Sequence, residues 1–149
     1  MSTITTNKRA FHDYEILSRF EAGIALSGQE VKSVKTGHVS LKGAFVTVRG
    51  NELFLTNAFI PPYRHAGDVP GYDPTRPRKL LLHRREIRGL IGKARSDGLT
   101  IVPLSVYTKG RYVKVGCAVA RGKTSRDKRE TIKKRDTDRA VRRELRSRD

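Results

Sequence analysis

The last 29 residues of this chain, 121–149, are too polar to fold around a core of their own. They contain 13 Lys and Arg residues against 6 Asp and Glu residues, a net charge of +7. Their apolar side chains are Ile132, Ala140, Val141 and Leu145. So little apolar surface does not offset the conformational entropy that is lost on ordering. We therefore predict that residues 121–149 form a basic tail that is disordered when free.

The same tail favours a helix once its charge is neutralised. Residues 127–136 contain neither Gly nor Pro, and Asp127 stands three residues before Glu130, the spacing of a helix-capping pair. Glu130 and Lys134 form a favourable i,i+4 pair. A segment of this kind folds on a polyanion, and RNA is the polyanion that we expect.

The remainder of the chain is also basic. Residues 1–120 contain 19 Lys and Arg against 9 Asp and Glu, and the whole chain of 149 residues has a formal net charge of +17. Contacts with phosphates release counterions and accumulate affinity, so a charge of this size favours a nucleic-acid partner. We predict two units, an RNA-binding domain over residues 1–120 and the tail over residues 121–149.

Alternating and turn patterns predict about six short strands. Apolar runs on either side of Arg49–Asn51 form one hairpin within residues 44–60. Residues 99–108 and 111–120 form a second hairpin around Lys109 and Gly110. The remaining assignments are strands at 13–18 and 23–26, a strand or the approach to a helix at 79–82, and a frayed polar lead at 1–6.

Two segments have the features of helices. Residues 29–36 form a short helix that Gly37 ends. In residues 84–95 the apolar residues recur at i, i+3, i+4 and i+7 from Ile87, which predicts the principal amphipathic helix. Short antiparallel strands with one principal helix and one short helix predict a mainly-β fold. The expected architecture is a small antiparallel barrel of the OB type, because such barrels offer a face and loops to RNA.

No catalytic, metal or cofactor site is predicted. The four His residues do not stand at metal-ligand spacing with one another or with Cys117, and there is no Gly-rich phosphate loop of the GxxxxGK type. Cys117 falls in an apolar alternation and is interpreted as a core side chain rather than a nucleophile. A single cysteine fits a reducing compartment, and no apolar run reaches the ~20 residues of a membrane span. We expect a cytoplasmic protein without a membrane partner.

Long motifs in a fixed order give the chain a resemblance to a known family. They are Asn7–Tyr14, Phe20–Leu26, Gly28–Lys35, Asp73–Leu82, Val102–Leu104, the pair Gly122 and Lys123, and Asp127–Asp136. With these motifs, residues 7–136 resemble the bacterial SsrA-binding protein (small protein B) family. The chain departs from the family at Arg126 and Thr137, where many members have Tyr or His and an aromatic residue, respectively. The guanidinium plane of Arg126 is still able to stack on a base.

The resemblance implies an OB-type barrel that binds transfer-messenger RNA (tmRNA) and delivers it to stalled ribosomes. The barrel would imitate an anticodon arm, and the tail would fold as a helix in the empty mRNA channel beyond the decoding site. The implied partners are tmRNA, the small ribosomal subunit, and elongation factor Tu with GTP through the tmRNA complex. The tail residues implied to bind the ribosome are Gly122, Lys123, Asp127, Lys128, Arg129, Ile132, Lys133, Lys134 and Arg135.

The candidate tmRNA-binding residues are basic, aromatic or polar positions within the motifs of the barrel. They are Asn7, Lys8, Arg9, His12, Tyr14, Gly28, Glu30, Lys32, Lys35, Arg76, Arg78 and Lys79. Glu30, with Gly28, is the first choice, because a carboxylate on a basic surface accepts hydrogen bonds from base edges or 2′-hydroxyls. The alternative for Glu30 is an internal salt bridge to Lys32 or Arg9. Tyr14 either stacks on a base or belongs to the core.

Other classes of protein stay open at this point. A structural ribosomal protein, or a generic basic RNA-binding protein, has the same composition, and a permanent stoichiometric place in purified ribosomes would identify it. An RNA-modifying enzyme would need a nucleophile or a cofactor motif, and multiple-turnover chemistry would reveal it.

Overall fold

The computed structural model describes residues 1–64, 67 and 70–123. Within these residues there are seven strands and three helices. The strands are β1 (Ser2–Thr6), β2 (Tyr14–Ile24), β3 (Phe45–Arg49), β4 (Glu52–Thr56), β5 (Arg78–Leu81), β6 (Thr100–Lys109) and β7 (Tyr112–Gly122). The helices are α1 (Lys8–Asp13), α2 (Gly28–Lys35) and α3 (Arg84–Ser96). Most of the predicted tail, including Asp127, Lys128, Arg129, Ile132, Lys133, Lys134 and Arg135, lies outside the described residues.

All seven strands join one antiparallel sheet in the order β1-β6-β7-β2-β5-β4-β3. β3, at one edge of this sheet, also lies against β6, the neighbour of the other edge. The sheet therefore curls round towards closure, which leaves little exposed edge. The prediction of a mainly-β fold, a small antiparallel barrel, is confirmed.

The long hairpin of β6 and β7 is buried on both faces. Successive strand residues point to opposite faces, so Ile101 and Cys117 join the main core while Val102 and Ala118 face the other way. There they pack with Ala10 of α1. The main core also takes Val34 from α2 and Ile87 from α3, along with aliphatic side chains of β2, β4 and β5: Ala22, Leu53, Leu55 and Leu80. α1 and α2 therefore pack against different faces of the same hairpin.

The N-terminal region differs from its prediction. Met1–Thr6 is not a frayed lead, because Ser2–Thr6 forms β1 and pairs with β6 from Ser2↔Thr108 to Thr6↔Ser105. The short helix α1, which was not predicted, follows directly. Asn7 caps it by accepting from the Ala10 N–H (3.3 Å), while its amide nitrogen donates to the Pro103 carbonyl (2.9 Å). The β6 partners of β1 and the Pro103 partner of Asn7 are about 100 residues away in sequence, so no local pattern reports them.

The elements with strong local signals agree with their predictions. Both hairpins are present, α3 begins at Arg84 as predicted, and α2 is displaced by one residue at each end. The two strands predicted at 13–18 and 23–26 are parts of the single long strand β2. The open choice at 79–82 resolves to a strand, β5.

We expect Gly37→Ala and Gly89→Ala to change the free energy of unfolding in opposite directions. Gly37 has φ +90°, in the left-handed region, where an added Cβ costs about 1–2 kcal/mol. Gly89 lies inside α3, and a Cβ there meets nothing within 4 Å, so alanine stabilises the helix by up to about 1 kcal/mol. Urea unfolding of both variants measures the difference. Destabilisation by both substitutions to the same extent would contradict it.

Candidate nucleic-acid interface

Both ends of α2 are capped by hydrogen bonds between residues that are close in sequence. At the N-terminus, Ser27 Oγ accepts from the Glu30 N–H (3.3 Å) and Glu30 Oε1 accepts from the Ser27 N–H (2.9 Å), which is a reciprocal capping box. At the C-terminus, the Gly37 N–H donates to the Val34 carbonyl (2.9 Å) and the His38 N–H to the Ser33 carbonyl (3.0 Å). These two bonds are the Schellman pattern that a left-handed glycine allows. α2 is therefore a rigid platform for its side chains.

The Glu30 side chain is the centre of a buried polar cluster. It is 0% exposed. Its Oε2 accepts from Arg78 Nε (2.7 Å) and from Arg76 Nε (3.2 Å), and Arg76 Nη2 donates to Oε1. The Tyr72 hydroxyl lies 3.3 Å from Oε2 as a further donor. A single carboxylate therefore joins α2 to β5 and to the segment that precedes β5.

Arg78 is also 0% exposed, and every nitrogen of its guanidinium donates a hydrogen bond. Its Nη1 donates to the Ala58 carbonyl (2.7 Å), and its Nη2 donates to the Pro74 carbonyl (2.9 Å) and to the Tyr72 hydroxyl (3.2 Å). A buried charge of this kind is tolerated when its donors are satisfied and an opposite charge is adjacent. Arg78 thus ties β5 to the connection between β4 and β5.

The electrostatics of the cluster favour the ionised carboxylate. Burial by itself would raise the pKa of Glu30, because it penalises the charged form. The hydrogen bonds from Arg76, from the Ser27 N–H and from Arg78 outweigh burial and lower the pKa of Glu30 to about 2. Glu30 therefore stays charged, and its charge is neutralised inside the protein.

This geometry corrects two predictions. The Glu30 carboxylate does not face RNA, and the alternative of an internal salt bridge is the one that holds, with Arg76 and Arg78 as partners rather than Lys32 or Arg9. Arg78 is not at the surface either, because its side chain is consumed by the cluster. Arg76 is partly accessible, with 38% of its side chain exposed.

The basic face of α2 is accessible beside this cluster. Gly28, Lys32 and Lys35 are all exposed. The Lys32 ammonium lies 5.7 Å from the centre of the Tyr63 ring, a cation–π distance. α2 therefore brings two lysines and a neighbouring aromatic ring to the surface.

A second group of predicted residues lies around α1. Lys8 and Arg9 are exposed, although Arg9 Nε also donates to Asp13 Oδ2 (3.3 Å). His12 Nδ1 contacts Asp13 Oδ1 at 2.8 Å. Tyr14 packs beside the cluster on the outer face of β6 and β7, so the structure favours the core interpretation of its ring.

The first residues of the predicted tail, including Gly122 and Lys123, are attached to this second group. Gly122 is the last residue of β7 and pairs with Tyr14. The Lys123 N–H donates to the Asp13 carbonyl (2.9 Å), and Lys123 Nζ donates to the Phe11 carbonyl (3.2 Å). The sheet therefore continues past residue 120, and the tail starts from a fixed point next to α1.

The predicted residues are thus not one patch. The α1 group and the α2 group belong to opposite faces of the β6–β7 hairpin. Lys79 belongs to neither, since its Nζ pairs with Glu52 Oε1 (2.8 Å) on the neighbouring strand β4.

A concave surface that holds none of the candidate tmRNA-binding residues lies where β2 meets β5. Leu81 is 49% exposed there, and Gly23 beside it leaves room, since an added Cβ would stand 3.2 Å from the Leu81 Cβ. Glu21, His83 and Lys114 are among the residues that line this cavity of about 350 Å³. The signal for it was the alternation of β5, which turns every second residue outward.

Glu21 supplies a negative charge at this surface. The Tyr107 hydroxyl donates a hydrogen bond to the Glu21 carboxylate and so lowers the pKa of Glu21. Partial burial acts in the opposite direction, and the nearby Lys109 lowers this pKa further. Burial raises the pKa of the Tyr107 hydroxyl, so Tyr107 remains the donor.

Neither a reactive thiol nor a metal-binding cluster occurs among the described residues. Cys117 is fully buried, as predicted, and burial raises its thiol pKa to about 12, so it is inert at neutral pH. No group of three or more His, Cys, Asp or Glu side chains able to hold a metal ion occurs in that part of the chain. None of the helices described is long and apolar enough to cross a membrane.

A curled antiparallel sheet with lysines and arginines on its surrounding helices defines a basic β-barrel. The model of the family described as SmpB protein matches residues 4–147, nearly the entire sequence. The chain belongs to the SmpB family.

Relatives with known names are similar along almost the full length. The SsrA-binding protein of Chloroflexus aggregans is 50% identical over 148 residues, covering 99% of this chain and 94% of the relative. That of Carboxydothermus hydrogenoformans is 49% identical over 145 residues, covering 97% of each. A solved chain described as "tmRNA-SmpB: a journey to the center of the bacterial ribosome" is 49% identical, with a TM-score of 0.65, covering 81% of this chain and 85% of that one.

We expect Glu30→Gln to destabilise the protein by roughly 3 kcal/mol, because it leaves two arginines without their buried counter-charge. Glu52→Gln is the matched control. It removes a carboxylate from an exposed pair with Lys79, and we expect a change below about 1 kcal/mol. Urea unfolding at pH 7 measures both. Equal effects of the two substitutions would contradict the central role of Glu30.

The same substitution should alter the dependence of stability on pH. Because the folded-state pKa of Glu30 is lowered from 4.5 to about 2, its stabilisation is complete above about pH 4.5 and is lost as the pH falls towards 2. In that window the stability of Glu30→Gln should fall less steeply than that of the wild type.

Proposed function

We propose that this chain binds tmRNA and acts with it on stalled ribosomes in trans-translation, which rescues the ribosome and tags the incomplete peptide. The observation that carries the proposal is the match to the SmpB family over residues 4–147. The names of the relatives, SsrA-binding protein, and the description of the solved neighbour in the bacterial ribosome support the same function.

The surface chemistry of the described residues supports an RNA partner. Lys32 and Lys35 on α2 and Lys8 and Arg9 on α1 are exposed, and each is able to neutralise a phosphate. Glu30, the carboxylate closest to the α2 lysines in sequence, does not compete, because its charge is satisfied internally. The basic field of α2 is therefore left for the ligand.

Glu30 then has a positioning role in RNA binding rather than a contact role. Its bonds fix α2 against β5 and hold Arg76 at the edge of the cluster with part of its side chain accessible. We infer that Arg76, Lys32, Lys35 and the backbone at Gly28 form one contact surface for tmRNA. The α1 residues Asn7, Lys8, Arg9 and His12 would form a second surface.

A division of labour between barrel and tail completes the proposal. The barrel would occupy the place of an anticodon arm, and the tail would enter the mRNA channel of the small subunit as a helix. Elongation factor Tu with GTP would join through tmRNA. The attachment of Lys123 to α1 supports this arrangement, because it gives the tail a defined starting direction.

The proposal is a binding function without catalysis by the chain itself. The competing interpretation, a structural ribosomal protein, would place the chain in every purified ribosome at one copy. Sedimentation of ribosomes at high salt separates the two, since a rescue factor leaves the ribosome when its electrostatic contacts are screened.

The first test is binding to tmRNA against equal concentrations of bulk tRNA and duplex RNA at near-physiological salt. We expect tmRNA to bind at least about a hundredfold more tightly, a preference worth roughly 3 kcal/mol. Competition titration with labelled tmRNA measures the ratio. Equal and salt-labile binding to all three RNAs would reduce the function to generic RNA binding.

The second test separates barrel from tail. Removing residues 127–149 should leave tmRNA affinity within about threefold of the intact chain, because the proposed tmRNA surfaces lie on α1 and α2, but should abolish peptide tagging. Tagging on ribosomes stalled at a message without a stop codon measures the second effect. A triple Lys128, Lys133 and Lys134→Gln variant of full length is the control for charge. A large loss of tmRNA affinity on truncation would place the tail in the tmRNA site.

A further inference from the structure

A small concave site lies between the C-terminal end of α2 and the segment that follows β4. Its volume is about 340 Å³, at the lower end of the ~300–1,000 Å³ of small-ligand pockets. The described residues that line it are Ser33, Thr36, His38, Pro61, Pro62, Tyr63 and Arg64. None of these residues is among the tmRNA-binding residues that the sequence predicted.

One buried side chain holds the two walls of this site together. Ser33 is 1% exposed, and its hydroxyl lies 2.9 Å from the Pro61 carbonyl and 3.4 Å from the His38 carbonyl, both as acceptors. The Schellman bonds at Gly37 set the direction of the chain into His38. The Ser33 hydroxyl and these backbone bonds therefore fix the backbone of the two walls relative to each other.

The hydrogen bonds of Thr36 determine what His38 presents to the site. The Thr36 hydroxyl donates its one proton to a backbone carbonyl, that of Ser33 (2.8 Å) or Lys32 (3.1 Å). The same hydroxyl contacts His38 Nδ1 (3.0 Å), and in this arrangement it accepts from an Nδ1–H. In the tautomer with Nδ1–H, Nε2 carries the lone pair and is an acceptor for an amine or a ribose hydroxyl.

The remaining walls combine flat apolar rings with positive charge. Tyr63 and the rings of Pro61 and Pro62 offer faces to a planar group. Arg64 lies at the site, and the Lys32 ammonium stands 5.7 Å from the Tyr63 ring centre. The seven described lining residues include no Asp or Glu. An aromatic face with nearby cations is the arrangement that binds an unpaired base together with its phosphate.

We propose that this site holds one unstacked nucleobase of the RNA bound to α2, stacked on Tyr63, with His38 accepting from the nucleotide and Arg64 near its phosphate. The inference rests on the proposed function, because it places the base in RNA that Lys32 and Lys35 also contact. It goes beyond it by assigning a base-stacking role to Tyr63 and His38. An RNA segment fits better than an acidic peptide, since the planar walls match a base and the cations match its backbone.

A single tryptophan reports stacking directly. The chain contains no Trp, so Tyr63→Trp introduces the only indole. Titration with tmRNA should quench its fluorescence, because a base stacks on the ring. Tyr112→Trp is the matched control. Tyr112 is 63% exposed at the start of β7, and Lys114 lies 5.8 Å from its ring centre, so it has the same ring and a similar cation without the cavity. We expect no comparable quench there.

Affinity measurements keep the proposal falsifiable if the tryptophan variant folds poorly. Tyr63→Ala should weaken tmRNA binding by about tenfold, Tyr63→Phe should bind like the wild type, and Tyr112→Ala should be unchanged. Thermal unfolding of each variant confirms the fold. Wild-type affinity in Tyr63→Ala, with tmRNA still preferred over tRNA, would overturn the stacking site and leave the proposed function standing.

Failure of the proposed function has a different signature. If wild-type protein does not prefer tmRNA, the Tyr63→Trp variant is titrated with a short single-stranded RNA and a duplex of the same sequence. A quench by the single strand alone would support the base site independently of tmRNA. Quenching by an acidic peptide but by neither RNA would make the occupant a protein and overturn the assignment.

Discussion

The arrangement of the candidate interface depends on one buried carboxylate. Glu30 caps α2 through the Ser27 N–H. At the same time it neutralises Arg76 and Arg78, which lie far along the chain, just before and at the start of β5. The same side chain therefore caps the N-terminus of α2 and holds α2 against β5. Because burial would otherwise favour the neutral acid, the two guanidiniums and the Ser27 N–H together keep this charge inside the protein.

The position of charge in this protein separates into an internal and an external set. The internal charges, Glu30 and Arg78, satisfy one another and hold elements together. The external charges, such as Lys32 and Lys35, lie at the surface. The fold does not need structural partners for them. This separation explains how a chain of net charge +17 builds a compact barrel: its core charge is balanced, and its excess charge is outside.

Elements with a strong local signal were predicted correctly. The apolar spacing from Ile87 identified α3, Gly37 marked the end of α2, and the turn at Lys109 and Gly110 identified the β6–β7 hairpin. β1 and α1 were missed because their stability comes from distant partners. β1 takes its hydrogen bonds from β6, and the cap of α1 also binds the Pro103 carbonyl. Neither contact leaves a periodic pattern in the sequence.

By itself, the sequence determined the excess of positive charge, the family motifs and the mainly-β architecture, because charge, alternation and turn residues are local properties. The tertiary structure alone decided which motif residues reach the surface. Glu30 and Arg78 lie in motifs that the sequence assigned to RNA, yet they are 48 residues apart and pair in the interior. Likewise, Tyr63 and His38 lie outside the family motifs, and only the packing of a loop against the end of α2 brings them to one cavity. A side chain's exposure depends on its distant neighbours, and local pattern does not encode them.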